Sequence, residues 1–142
     1  MASMATVAFT PSGRCLSGSI DGSLYLWNGP SCSKVISVTT GFINSIYTSN
    51  DQILVGGKDS ISVFNSNLQK QSSIPVGSQV RSLDSDGTNI LVGLRDGTIL
   101  ETNTSGTKKV LMQSHSDGEA WGLAVCSSTG LVFNYNFISY LL

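Results

Sequence analysis

The 142-residue sequence repeats one pattern three times: an apolar strand, a short turn, a strand of small residues, an Asp-led turn and a strand of alternating polarity. The turn aspartates Asp21, Asp59 and Asp96 recur 38 and 37 residues apart. A period of about 40 residues with several strands in each unit is typical of a β-propeller, in which each unit forms one four-stranded blade. The repeat therefore predicts an all-β chain built from antiparallel blades.

Each unit opens with two apolar residues separated by two others, and these pairs set the blade limits. They predict blades over residues 4–38, 43–76 and 80–113 and an incomplete blade over residues 120–142. Because propellers close with roughly 4–8 blades, we expect an incomplete ring that forms part of a larger protein or assembly. No Asp-led turn or third strand follows Gly130, so residues 131–142 are either a shortened natural end or sequence foreign to the repeat.

Composition excludes several classes of partner. Charged residues make up 12% of the chain and the net charge is −1, which predicts no nucleic-acid binding. The sequence has no apolar run of membrane-spanning length and no signal peptide at its start, so we expect no membrane partner. Its three cysteines lack disulfide or zinc spacing, which indicates a reducing compartment.

The sequence also argues against catalysis, cofactors and metals. The single histidine, His115, has Ser114 and Asp117 too close in sequence for the separate roles of a catalytic triad. Gly57-Lys58 suggests a phosphate-binding loop, but Gln52 stands in place of its first glycine and an aspartate replaces its Ser/Thr. We therefore predict a binding protein and not an enzyme.

Residues 18–27, Gly-Ser-Ile-Asp-Gly-Ser-Leu-Tyr-Leu-Trp, resemble the end of a WD40 repeat, with Asp21 in the turn and Trp27 in the Trp-Asp position. Residues 55–59, 80–83, 90–93 and 115–124 more specifically resemble the echinoderm microtubule-associated protein-like family. The resemblance covers roughly residues 4–130. It implies a cytoplasmic, cytoskeletal protein, axonemal settings included, whose partner is tubulin or microtubules.

The resemblance also assigns residues to roles. The residue just before each turn aspartate would lie at one mouth of the ring, which makes Ile20, Lys58 and Arg95 the candidate partner-binding residues. The two basic side chains could meet an acidic surface such as that of tubulin, and the alternative is that all are ordinary exposed turn residues. The structural repeat positions are Asp21, Gly22, Trp27, Asp59, Asp96, Gly97, His115 and Trp121.

In WD40 blades a histidine before the first strand often pairs with the turn aspartate of the same blade. His115 matches that position but its unit lacks the aspartate, and Thr39 stands where the histidine belonging to Asp59 would be. The expected function is a non-catalytic scaffold at microtubules. The alternatives are a general WD40 adaptor without tubulin preference, or a truncated fragment without independent function. Exposed end blades predict self-association.

Overall fold

The computed structural model describes residues 3–113 in full and residues 120–126 and 131–136 by their backbone alone. Three antiparallel sheets of four strands follow one another, each connected in simple up-and-down order. Blade 1 contains β1 (Met4–Phe9), β2 (Cys15–Ser19), β3 (Ser23–Asn28) and β4 (Ser31–Ser37). Blade 2 contains β5 (Ser45–Thr48), β6 (Ile53–Gly56), β7 (Ser60–Phe64) and β8 (Lys70–Pro75). Blade 3 contains β9 (Val80–Ser85), β10 (Ile90–Leu94), β11 (Ile99–Thr102) and β12 (Lys108–Met112).

A fourth, two-stranded sheet continues the arc. It pairs β13 (Ala120–Cys126) with β14 (Leu131–Asn136), and β13 lies against β9 and β10 of blade 3. The first strands of successive blades are neighbours, since β1 contacts β5, β5 contacts β9 and β9 contacts β13. The predicted fold class is confirmed: the described residues form β-blades without a helix, and their ring is not closed.

The core lies between blades, in two clusters of buried apolar side chains. Strand β6 contributes to both clusters, because Ile53 and Val55 pack with blade 1 whereas Leu54 packs with blade 3. Successive side chains of a strand point to opposite faces, so a strand covered on both sides needs apolar residues at every position. The uninterrupted Ile-Leu-Val run of β6 meets that requirement.

Two glycines permit this close packing. A Cβ built on Gly18 would lie 2.3 Å from Ile43 Cγ2, and one built on Gly56 would lie 2.4 Å from Val80 Cγ1. Both glycines occupy the same place in their blades, beneath the apolar residue that begins the next unit. Glycine at the interior of a strand often marks such a close approach.

One backbone hydrogen bond, at an equivalent position, joins blade 1 to blade 2 and blade 2 to blade 3. The Ile43 N–H donates to the Ser19 carbonyl at 3.1 Å, and the Val80 N–H donates to the Gly57 carbonyl at 3.0 Å. Antiparallel connection then places two kinds of loop at opposite ends of the blades. The upper end carries the turns at residues 20–22, 57–59 and 95–97 and the linkers between blades, and the lower end carries the turns at residues 10–14, 49–52 and 65–69.

Candidate partner-binding surface

The three predicted partner-binding residues occupy equivalent positions at the upper end. Each lies in the turn between the second and third strands of its blade, and each is exposed. The backbone N–H of each donates to the segment that enters the same blade: Ile20 to the Ser3 carbonyl at 3.0 Å, Lys58 to Thr39 Oγ1 at 3.4 Å and Arg95 to the Gln79 carbonyl at 2.9 Å. The backbone of these residues therefore has a structural role that does not depend on which side chain is present.

A fourth exposed residue, Phe42, belongs to the same surface and was not predicted. Its side chain is 46% exposed, against 43% for Ile20, and it lies in the linker between blades 1 and 2. The Gln79 amide Nε2 donates to the Phe42 carbonyl at 2.9 Å and so fixes this linker against the next one. A Cβ built on the neighbouring Gly41 would lie 4.0 Å from Lys58 Cβ, so the linker adjoins the Lys58 turn.

We refer to Ile20, Phe42, Lys58 and Arg95 as the mouth surface. It combines two exposed apolar side chains with two cations. The sequence repeat does not indicate Phe42, because the linkers between blades carry no part of the repeated motif. The available signal was an aromatic residue directly before the apolar residue that opens a unit.

The turn aspartates contribute negative charge at the same end. Asp21 accepts hydrogen bonds from the Ser19 hydroxyl and, at 3.0 Å, from the Ser23 N–H. Both bonds lower the pKa of the Asp21 carboxyl below its ordinary value, and the bond from Ser19 lowers it most. Asp96 accepts the Thr98 N–H at 2.9 Å in the same way. The upper end therefore presents charges of both signs.

In blade 2 four residues separate the paired residues Gly56 and Ile61, one fewer than between the equivalent pairs of blades 1 and 3, and the turn aspartate has a different role. The Asp59 carbonyl, not its side chain, accepts hydrogen bonds from the Val76 N–H at 2.8 Å and the Gly77 N–H at 3.2 Å. In blade 1 the Gly22 carbonyl accepts the equivalent bond from the Val38 N–H at 2.9 Å. Asp59 is thus exposed at the position where blade 1 has a glycine.

The turns of blades 1 and 3 each contain a glycine, and both glycines have the positive φ for which glycine was predicted there. Gly22 and Gly97 have φ values of 87° and 84°, in the left-handed region that favours glycine. A Cβ built on Gly22 would also lie 1.9 Å from the Thr39 carbonyl oxygen, so this turn is closed against the linker.

The remaining repeat positions are aromatic residues and the histidine. The Trp27 indole Nε1 donates to Ser17 Oγ at 2.8 Å, and its ring stacks on Tyr25 with centroids 6.2 Å apart. Trp121 lies in β13, with its side chain outside the described residues, and His115 lies outside them altogether.

A second apolar surface, the outer face of blade 1, lies on the opposite side from blade 2. Val7 and Phe9 are each 70% exposed there, and strand pairing puts Val7 in one cross-strand row with Tyr25 and Phe9 in one row with Trp27. The residue of blade 2 equivalent to Trp27 is Phe64, which is buried against blade 1. The outer face of blade 1 is therefore equivalent to the face of blade 2 that packs against blade 1.

Two other kinds of feature are absent from the described part of the chain. It contains no helix long and apolar enough to span a bilayer. Within the same residues, no group of three or more His, Cys, Asp or Glu side chains lies close enough together to hold a metal ion.

Four-stranded antiparallel blades with an Asp-led turn and a Trp at the end of the third strand define WD40-type propeller blades. Residues 3–28 match the family model "WD domain, G-beta repeat". The chain is a WD40 repeat protein. Its relatives confirm the predicted resemblance to the echinoderm microtubule-associated protein-like family.

The chain is 40% identical over 129 residues to "Ciliary WD repeat-containing protein ctxp80" from Euplotoides octocarinatus, covering 89% of this chain and 18% of that protein. It is 32% identical over 138 residues to "77 kDa echinoderm microtubule-associated protein" from Lytechinus variegatus, covering 90% of this chain and 21% of that protein. The Strongylocentrotus purpuratus protein of the same name is 32% identical over 136 residues, covering 89% and 20%. The chain thus spans about a fifth of the length of these relatives.

A solved structure shows the same fold at lower sequence identity. The chain superposes on one chain of "Crystal Structure of Mitotic Checkpoint Complex" with a TM-score of 0.74 and 17% identity, covering 93% of this chain and 45% of that one. This likeness supports the blade architecture alone.

Proposed function

We propose that this chain is a non-catalytic, protein-binding part of a WD40 protein and that it associates with microtubules through the mouth surface. The observation that carries the proposal is the equivalence of Ile20, Lys58 and Arg95, whose backbones have the same role while their side chains are exposed at one end. Relatives named as microtubule-associated and ciliary proteins support this choice of partner.

The chemistry of the mouth surface suits a partner that is acidic and offers an apolar contact. Lys58 and Arg95 would orient an acidic surface such as that of tubulin and speed its encounter, since exposed interfacial charges affect association rate more than affinity. Ile20 and Phe42 would supply the apolar contact, because binding would remove their exposed apolar area from water. The acidic turn residues beside them would favour partners that also display a few cations.

The proposed location follows from the proposed partner. We place the protein at the cytoplasmic cytoskeleton, including ciliary structures, on the strength of the ciliary relative. The blade limits at 4–38, 43–76, 80–113 and 120–142 remain a prediction.

Microtubule co-sedimentation tests the proposal. The double variant Lys58→Glu with Arg95→Glu should pellet with about tenfold weaker affinity, because two attractions of about 0.3–0.4 kcal/mol each become repulsions of similar size, a change of about 1.4 kcal/mol in all. The matched control reverses two other exposed lysines, Lys34→Glu with Lys70→Glu, on outer strands β4 and β8. The control should pellet like the wild type, and the difference between the variants should shrink at high salt.

Unchanged pelleting by the folded Lys58/Arg95 variant would exclude the mouth surface. Absence of pelleting by a folded wild-type chain would favour one of two alternatives. The first is a general WD40 adaptor, which would bind another protein through the same end. The second is a truncated fragment without independent function, which fits a chain that spans about a fifth of its relatives.

A further inference from the structure

A pocket of about 100 Å³ lies at the lower end, away from the mouth surface. Three turns from two blades form its wall: the turn at residues 10–14 of blade 1 and the turns at 49–52 and 65–69 of blade 2. Ile53, buried at the start of β6, lines it from the core side. Pockets for drug-sized ligands measure about 300–1,000 Å³, so this one has room for a single small group.

The lining brings hydroxyl groups and one side-chain amide together around one cation. Arg14 donates from Nη2 to the Ser66 carbonyl at 2.8 Å, a bond that spans the two blades and holds the guanidinium at the pocket. The Thr10 and Ser12 hydroxyls are 2.9 Å apart, and Thr10 Oγ1 also accepts the Arg14 N–H at 3.1 Å, which fixes this turn. Asn50 faces them from blade 2.

The two blades are also fixed to each other beside the pocket. Thr48, the last residue of β5, donates its hydroxyl to the carbonyl of Phe9, the last residue of β1, at 2.5 Å. The Ser49 N–H and hydroxyl both donate to the Gln52 carbonyl, at 2.8 and 3.3 Å, and close the turn that carries Asn50. Both walls of the pocket are therefore held in place before any ligand arrives, which lowers the entropic cost of binding.

The charge balance of the pocket favours an anion. Its described lining contains one guanidinium and no carboxylate, and Asp51, which follows Asn50, is outside the lining. One Arg14 N–H is engaged by Ser66, which leaves the other guanidinium N–H groups available. Guanidinium recognises phosphate through paired, charge-assisted hydrogen bonds, and the Asn50 side-chain amide offers further donors.

We propose that this pocket binds one phosphate group, carried by a phosphorylated serine or threonine side chain of a partner protein. The pocket volume fits one such group, and its position in a cleft between two surface turns leaves it open to an extended peptide. The site is separate from the mouth surface and does not depend on microtubule binding.

The test is an NMR titration of the whole chain with inorganic phosphate and with a short phosphoserine peptide, at constant ionic strength maintained with chloride. Saturable amide shifts are expected in the turns at 10–14 and 49–52 with both probes. Arg14→Gln should weaken binding about tenfold or more, because it removes the charged donor. Arg14→Lys should weaken it less, since it retains the charge but loses the fork that reaches Ser66 and phosphate together.

Two further variants keep the test independent of folding defects. Asn50→Asp puts a carboxylate in the lining while leaving Arg14 in place, and it should abolish phosphate binding. Lys34→Gln removes one positive charge on the outer strand β4 and should leave binding unchanged. Equal shifts with acetate and phosphate, equal binding by Arg14→Gln and Lys34→Gln, or binding of the free ion without the peptide would each overturn the proposal.

Discussion

Replacing Gly56 by alanine should loosen the contact between blades 2 and 3. The new Cβ would lie 2.4 Å from Val80 Cγ1 and 2.9 Å from Val80 Cβ, whereas ordinary contact begins at 3.4 Å. The difference between 3.4 Å and 2.4 Å means that the new Cβ and Val80 Cγ1 must move apart by about 1 Å. Val80 is fully buried and its N–H is bonded to the Gly57 carbonyl at 3.0 Å, so it cannot retreat without straining that bond.

The expected cost has two parts of opposite sign. Inserting a methyl group into a packed interface typically costs about 1–3 kcal/mol, and Val80 offers little relief because β-branched side chains have few χ1 alternatives. Alanine recovers about 0.4–1 kcal/mol by restricting the unfolded chain, since Gly56 does not have positive φ. The net loss in free energy of unfolding should be about 1–2 kcal/mol.

Urea unfolding of a double-mutant cycle measures this interaction. Val80→Ala alone should cost about 2 kcal/mol, because it removes two buried methyl groups and leaves a cavity. In the Val80→Ala background the 2.4 Å contact disappears while the Cβ at 2.9 Å remains, so Gly56→Ala should cost less than about 1 kcal/mol, and the coupling energy should be about 1 kcal/mol at equal m values. Additive effects, within about 0.5 kcal/mol, would refute the close approach of these two residues.

Two further predictions concern blade 1. Ser17→Ala should destabilise the chain by about 0.5–1.5 kcal/mol in urea unfolding, since it removes the acceptor 2.8 Å from Trp27 Nε1, and Ser17→Thr, which keeps the hydroxyl, should cost less. Equal stability of Ser17→Ala and the wild type would contradict this. Val7→Ser with Phe9→Ser should reduce self-association in sedimentation velocity while changing the free energy of unfolding by less than about 0.5 kcal/mol, because both side chains are 70% exposed. Val110→Ser, on the exposed strand β12, is the control, and unchanged association of the Val7/Phe9 variant would exclude the outer face of blade 1.

The blades could be predicted from the sequence because their determinants are local and recur. Asp-Gly turns need positive φ at the glycine, and Gly18 and Gly56 are needed at fixed distances from those turns. Alternation identified the third strands, and a high content of small residues identified the second strands, which are buried on both faces. Each of these signals lies within about ten residues of sequence and recurs in at least two of the three full units.

The binding features were harder to predict because they combine residues from different units. Phe42 lies in a linker, and nothing in the repeat indicates that Gln79, 37 residues later, holds that linker by its carbonyl. The pocket around Arg14 depends on a bond to Ser66, 52 residues away in the next blade. Sequence periodicity identifies equivalent positions, but it does not say which turns of neighbouring blades meet.

The upper-end turns show why the fold of such a chain is easier to infer than its partner. Ile20, Lys58 and Arg95 differ in size and charge, yet the backbone of each makes the same kind of hydrogen bond to the segment entering its blade. In blade 2 the acceptor is the Thr39 hydroxyl and not a carbonyl, and the turn is still formed. Since the structural role belongs to the backbone, exposed side chains here can change without destabilising the blade. Partner choice therefore depends on side chains that this backbone role does not specify, and only binding measurements on variants of those side chains can identify the partner.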